Sequence, residues 1–425
     1  MDRYRMPRRY VKPMKLPDLP EHLISDPAQL AGCLDHLAKS PVIGFDTEFV
    51  GEDAYRPELC LIQIATAEQL FVIDPFNVGP LGDFWNLLLD PKRKTVLHAG
   101  REDIRMCYFQ AGKPPADVFD VQVASGLIGL TYPIGYAGLV SDLLGQRMTK
   151  GETLTDWRRR PLLPAQVRYA FDDVRYLLPA WKKLTDRLKR LKRTEWATEE
   201  FENSVRKAIG DEEAAAEKWR KVKGIGGLDR RGLAVAREVF AWREQFAERV
   251  NRPPRQLLRD DILAEIARRC PTKVEDLSAY RGMPQKEIER ILEAVRRAKD
   301  LTLENCPEAE ARDNDPPHVV LMANLLGVVL TDWCTRNKLA ANLVASGSDL
   351  KAVVRSHVFR DPTPDVPLTR GWRAVNILTE LQAILRGETA IRIENARAAA
   401  PLGFLPIAPE SDEEAKLPLP NTPSD

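Results

Sequence analysis

The hydrophobic pattern changes period once along the chain, and that change bounds the fold more tightly than any other feature. From Pro41 onward, short apolar runs bounded by turn residues alternate with helix-like stretches. Val42-Ile43-Gly44-Phe45, Leu59-Cys60-Leu61-Ile62-Gln63-Ile64, Leu70-Phe71-Val72-Ile73 and Thr95-Val96-Leu97-His98 read as strands. Strands mixed with helices imply an α/β layer architecture. After about residue 165 the strand signals stop, and helical spacing runs through nearly all that follows. A chain of 425 residues exceeds what one hydrophobic core serves, so the second period marks further domains.

The expected organisation is a basic N-terminal extension over 1–22, an α/β domain over 23–193, and a charged linker helix over 194–227 with Gly224, Gly226 and Gly227 as its hinge. Residues 228–303 form an all-helical module, with Val235, Val239, Trp242 and Phe246 on one face and Ile262, Ile266, Ile288, Ile291 and Leu292 in later helices. A polar linker over 304–317 leads to a second helical block over 318–393 that holds Leu321, Leu325, Val328 and Val329. Six prolines between Pro401 and Pro423 and an acidic Ser-Asp-Glu-Glu run make 394–425 a disordered tail in this reading.

Global charge is silent on partners, since 63 Lys and Arg face 62 Asp and Glu. The six cysteines are scattered, with no C-x-x-C pair and no clustering with the five histidines, which disfavours zinc and disulfides and suits reduced thiols. Met1 to Lys15 is rich in Arg, Lys and Pro without an apolar h-region, and no later run approaches about 18 apolar residues. A cytoplasmic protein, neither secreted nor membrane-spanning, is the expectation.

Chemistry concentrates in a few acids. Asp46-Thr47-Glu48 follows the first strand, and residues two apart on a strand share a face, so Asp46 and Glu48 aim together. Beyond His98-Ala99-Gly100, a helix carries Ile104, Cys107, Tyr108 and Ala111 as its apolar stripe. At about 100° per residue, Asp103 sits at the margin of that stripe and Glu102 nearly opposite it. A third helix, with Val167, Ala170, Val174, Leu177, Trp181 and Leu188 as its stripe, puts Tyr169 and Asp173 on one side and Asp172 toward solvent. Taken singly, each acid also fits a solvated strand end or a partner for a helix dipole.

Jointly, Asp46, Glu48, Asp103 and Asp173, with Tyr169 four residues before the last acid, resemble the DEDD exonuclease superfamily in its tyrosine subclass. Within it the chain looks like ribonuclease D. The resemblance runs through Phe45-Asp46-Thr47-Glu48-Phe49, Leu59-Cys60-Leu61-Ile62-Gln63-Ile64-Ala65, His98-Ala99-Gly100-Arg101-Glu102-Asp103, Thr155-Asp156-Trp157-Arg158-Arg159-Arg160-Pro161-Leu162 and Tyr169-Ala170-Phe171-Asp172-Asp173. It implies a ribonuclease H-like mixed sheet flanked by helices and 3′→5′ hydrolysis of RNA. Asp172 departs from the small residue usual there, and its outward direction is expected to leave the site undisturbed. Leu257-Leu258-Arg259-Asp260-Asp261-Ile262-Leu263 and Leu277-Ser278-Ala279-Tyr280-Arg281-Gly282 resemble the helicase-and-RNase-D C-terminal (HRDC) domain, and the second helical block looks like a divergent copy.

The resemblance further implies two divalent cations, Mg²⁺ or Mn²⁺, which hard oxygen ligands favour. Asp46 would bridge both, Glu48 and Asp173 would complete the first, and Asp103 would hold the second. Tyr169 would position the attacking water. Expected substrate contacts are Phe49, Gln63, His98, Trp157, Arg158, Arg159 and Arg160. The last four belong to a basic loop running from Lys150 to Arg160, where cations can meet phosphates and a ring can stack on a base. Phe49 and Trp157 serve equally as core aromatics. The first helical module carries 17 Lys and Arg against 13 Asp and Glu over 229–301, an excess that allows RNA contact or simple packing on the catalytic domain. The implied partners are RNA 3′ ends, tRNA precursors among them, met by a monomer. The competing readings are a DNA exonuclease of the same superfamily, an inactive RNA-binding scaffold and a small-molecule nucleotide phosphatase.

Overall fold

The computed structural model describes residues 11–148, 156–210, 217–278, 280, 282–309 and 315–407. They fall into two compact units: Met1–Val121, Tyr136–Lys183 and Glu200–Asn314 form the first, and Gln122–Gly135, Leu184–Glu199 and Asp315–Asp425 the second. This division cuts across the successive domains expected from the sequence.

In the first unit, six strands form one sheet: β1 (Glu21–Ile24), β2 (Val42–Val50), β3 (Glu58–Ala65), β4 (Leu70–Ile73), β5 (Lys94–Leu97) and β6 (Asp117–Asp120). Their order is β1-β4-β3-β2-β5-β6, with β3 antiparallel to β2 and β4 and all other pairs parallel. The sheet is therefore mixed, as expected. Two of its strands were not visible in the sequence. They are the edges, β1 and β6, each four residues long, where one-sided pairing leaves little apolar signal. Helices α1 (Pro27–Ala38), α2 (Gly82–Leu88) and α3 (Arg101–Ala111) enclose a core with Phe45, Ile62, Ile64, Phe84 and Trp85. Asp26 caps α1 by accepting the Gln29 N–H at 2.9 Å, and Pro27 supplies the fixed φ of its first turn.

After α4 (Val121–Gly126) and α5 (Tyr136–Leu144), α6 (Pro164–Arg175) contacts β2, β3 and β4. The single helix expected from the stripe through Leu188 is in fact two, because the chain breaks at Tyr176 before α7 (Leu177–Arg190) begins. The long helix α9 (Arg230–Val250), which follows α8 (Thr194–Ile209), is capped by Asp229 on the Gly232 N–H. It packs on Asp260–Arg269 and Ile288–Asp300 through Val235, Val239, Ile266 and Ile291. Its far end meets the turn after β2, where Arg56 bonds Glu248 at 2.5 Å and the Asn251 carboxamide at 3.0 Å.

The second unit is built around the helix Pro317–Asn337 and the capped helix Gly347–Phe359. Arg193, buried, donates to the carbonyls of Leu127 at 2.7 Å, Lys338 at 2.9 Å and Asn337. Trp196 stacks on Trp372 at 4.5 Å. These bonds explain why 122–135 and 184–199 join this unit. Two sequence expectations need correcting here. Pro317–Asn337 is long and apolar enough to cross a membrane by length and composition, although no such run was expected; its Leu326, Val329 and Trp333 are buried inside the unit. Residues 394–407 are also ordered: β8 (Leu402–Pro406) pairs antiparallel with β7 (Thr389–Ile393), and Leu402 N–H donates to Asp332 at 3.0 Å. Residues 408–425 of the tail, like 1–10 of the extension, lie outside the described residues.

Candidate active site

Strand β2 delivers the first two acids. A Cβ added at Gly44 would lie 3.1 Å from the Leu177 Cβ, so Gly44, Asp46 and Glu48 share the face that α6 and α7 cover. Thr47 points the other way, and its hydroxyl donates to Asp103 Oδ1 at 2.6 Å. The ladder to β3 shifts register between Glu48 and Phe49, a bulge of the kind that re-aims a strand end.

The turn from β5 to α3 delivers Asp103, which is 7% exposed. That turn is tight. Ala99 takes a left-handed φ of 53°, and a Cβ at Gly100 would sit 2.3 Å from the Leu97 side chain, so any larger residue would have to displace buried Leu97. Asp120, at the end of β6, holds the turn by accepting the N–H groups of Ala99 at 3.1 Å and Gly100 at 3.2 Å. On α6, Asp173 and Tyr169 lie one turn apart, and the phenol donates to the Asp173 carboxylate. Asp172 turns aside and pairs with Arg175 at 2.9 Å.

All four expected acids come together. Withdrawal from water and then the charges of Asp103, Asp173 and Glu48 push the Asp46 carboxyl far above its ordinary range. Burial, with Asp173 and Asp103 next, pushes Glu48 up to about 8. Burial also raises Asp173 to about 7 and Asp103 to about 6, even though Tyr169 and Thr47 donate to them. Each carboxyl thus binds its proton more tightly in the fold than in the unfolded chain. The stabilisation this gives is complete below the ordinary carboxylate range of about pH 4 and is lost as pH rises toward about 8. In EDTA, the calorimetric Tm is therefore expected to fall by several degrees between pH 5 and pH 8. Millimolar Mn²⁺ should restore it at pH 8, and a flat profile in EDTA would contradict the cluster.

The cluster fits divalent cations. Its donors are oxygens alone, and the buried Asp173 Oδ2 has no hydrogen-bond partner. Among the described residues, no three acidic, histidine or cysteine side chains already close on one point.

The expected substrate contacts divide. Phe49 and His98 stand half-buried at the end of β2 and just after β5, with Phe49 packed partly on the core. Gln63 is fully buried beneath α6, and Trp157, 6% exposed, lies 6.0 Å from the Tyr169 ring, so neither is placed to meet RNA. Arg160 forms a forked pair with buried Asp74 at 2.5 and 2.8 Å and is a strut instead. Arg158 is likewise engaged, by Asp53 at 2.6 and 2.9 Å and Glu58 at 2.7 Å. Arg159 is exposed and has no ion-pair partner among the described residues. Residues 149–155, including Lys150, lie outside them.

The family model for 3′-5′ exonucleases matches residues 22–189, and that for the HRDC domain matches residues 232–298. Ribonuclease D of Gluconacetobacter diazotrophicus is 35% identical over 386 residues, covering 88% of this chain and 95% of the relative. Ribonuclease D of Acidiphilium cryptum is 35% identical over 394 residues, covering 90% and 95%. The chain belongs to the ribonuclease D family. Among solved structures, Escherichia coli RNase D, an exoribonuclease involved in structured RNA processing, superposes with a TM-score of 0.75 at 27% identity, over 86% of this chain and 98% of that one. Membership of the ribonuclease D family makes the chain a 3′→5′ exoribonuclease, ahead of the DNA exonuclease and scaffold readings.

Two residues of the site in this ribonuclease D family chain escaped the sequence reading. Asp120, which anchors the turn before Asp103, ends β6, a strand that the sequence did not reveal. Tyr136, at the start of α5, lies against His98 with ring centres 5.2 Å apart and planes tilted by 51°, and accepts the Tyr176 N–H at 3.2 Å. Burial, then the nearby charge of Asp173, holds its phenol well above its usual range. No local pattern marks it, because its partners lie about 40 residues away in either direction.

Proposed function

We propose that this exoribonuclease hydrolyses RNA 3′ ends with two divalent cations, Mg²⁺ or Mn²⁺, held by Asp46, Glu48, Asp103 and Asp173. The observation that carries this reading is the convergence of four carboxylates from β2, α3 and α6, with Asp103 and Asp173 raising the proton affinity of both Asp46 and Glu48. Bound there, divalent cations supply charge neutralisation and acidified water for phosphodiester hydrolysis.

The chain's own groups supply placement. Thr47 and Tyr169 orient Asp103 and Asp173 by hydrogen bonds. Burial first, and then the charges of Asp173, Glu48 and Asp46, hold the Tyr169 phenol above its usual range, so it keeps its proton and orients the attacking water instead of deprotonating it. Tyr169→Phe is accordingly expected to lower kcat by about 10- to 100-fold and leave Mn²⁺ affinity unchanged by calorimetry. Equal losses in both would assign Tyr169 to metal binding. Phe49 and His98 flank the terminal base, and Arg159 meets a phosphate of the incoming strand.

The substrates are structured RNA 3′ ends, tRNA precursors among them, reached in the cytoplasm. Support comes from the likeness to an RNase that processes structured RNA and from six free cysteines. The deciding assay uses 5′-labelled and 3′-labelled tRNA precursor beside an unstructured oligonucleotide. Stepwise shortening of the first label and immediate release of a labelled mononucleotide from the second are expected, both ended by EDTA or Asp173→Ala. Internal cuts, or hydrolysis that survives EDTA, would overturn the reading.

A further inference from the structure

Gln63 is 0% exposed, and both its Nε2 and its Oε1 lack a hydrogen-bond partner. A buried amide with neither end satisfied is costly, and folded chains seldom keep one without a use for it. Its place in the sheet indicates the use. In the β2–β3 ladder Gln63 stands directly opposite Asp46. Residues opposed in an antiparallel pair project to the same face with Cβ atoms about 5 Å apart, so a side-chain rotation brings the amide within reach of the Asp46 carboxylate.

The other acids show what such a neighbour does. Asp103 takes a hydrogen bond from the Thr47 hydroxyl and Asp173 one from the Tyr169 phenol, both uncharged donors. Asp46, in contact with the charge of all three other acids, has a backbone hydrogen bond from Thr47 and shares one with the Asp103 carboxyl, and no uncharged side chain donates to it. A lysine or arginine at position 63 would orient Asp46 too, yet its charge would compete with a divalent cation for the same carboxylates. An amide orients without competing.

We propose that Gln63 is a positioning residue for Asp46: its Nε2, unpartnered here, would turn to donate to one carboxylate oxygen when cations bind and aim the other lone pairs toward them. This rests on the reading of Asp46 as a metal ligand. It also gives Gln63 a role inside the sheet in place of contact with RNA. A partner of this kind orients a ligand group, and its loss costs 10- to 100-fold in metal affinity or activity in comparable sites, by order of magnitude.

The test measures Mn²⁺ affinity by titration calorimetry, thermal midpoint, kcat and KM for wild type, Gln63→Leu, Gln63→Met and Asp46→Ala. Support is a fall in Mn²⁺ affinity of about tenfold or more for both position-63 variants, with kcat reduced, KM for RNA unchanged and thermal midpoints at or above wild type. Wild-type affinity in a folded Gln63→Leu or Gln63→Met would overturn the proposal, as would an affinity loss that tracks a falling midpoint across the pair. Asp46→Ala separates the two readings. If it keeps wild-type Mn²⁺ affinity, the metal assignment itself fails, whatever position 63 does.

Discussion

Asp46→Ala is expected to leave a folded protein whose RNA hydrolysis is reduced by at least about a thousandfold, or roughly 4 kcal/mol of transition-state stabilisation. Asp46 stands against the charges of Asp103, Asp173 and Glu48, and Asp173 and Asp103 press on Glu48 as well. On the proposed reading, removing the Asp46 carboxylate takes a ligand from the metal site. The same change relieves repulsion, so the thermal midpoint in EDTA should hold or rise at pH 8 while Mn²⁺ binding by calorimetry disappears. Stability gained as activity is lost is the mark of groups retained for chemistry. A variant that binds Mn²⁺ as wild type does would remove Asp46 from the metal site.

The choice among acids was legible because it depends on local phase. Asp103 over Glu102 and Asp173 over Asp172 follow from helical spacing, and the rejected acids occupy surface pairs with Arg105 and Arg175. The same holds for Asp46 and Glu48 on one strand face. What stayed hidden depends on partners distant in sequence. Nothing local separates Arg158, Arg159 and Arg160, yet one is clamped by Asp53 and Glu58, one is exposed, and one is bound to Asp74. Gln63 looked like a substrate contact inside an apolar run until the register with β2 showed it buried beside Asp46. The hairpin of β7 and β8 was missed for a related reason. Its strands are short, the residues between them are rich in Ala, and the pairing itself supplies the order that composition denies.

Arg160→Ala is expected to cost about 3 to 5 kcal/mol of stability, the penalty for breaking a buried ion pair by removing one partner. Asp74 is 4% exposed and keeps only the Phe76 N–H at 3.1 Å and the Asn77 amide at 3.2 Å once the guanidinium is gone. Arg160 also donates to the carbonyls of Trp157 at 2.7 Å and Cys60 at 2.9 Å and lies over the Phe76 ring. Lysine offers neither the fork nor these carbonyl bonds, so Arg160→Lys should recover only part of the loss in urea denaturation. The loop would loosen with it. Trp157, which braces Tyr169, would lose its tether, and kcat should fall along with stability. A phosphate-binding arginine behaves differently: truncation weakens RNA binding and lowers the slope of log K against log salt by about one, with stability intact. That second pattern is expected of Arg159→Ala. If the two variants exchanged phenotypes, Arg160 would belong to the substrate after all, and the Asp74 pair would be a resting contact that RNA displaces.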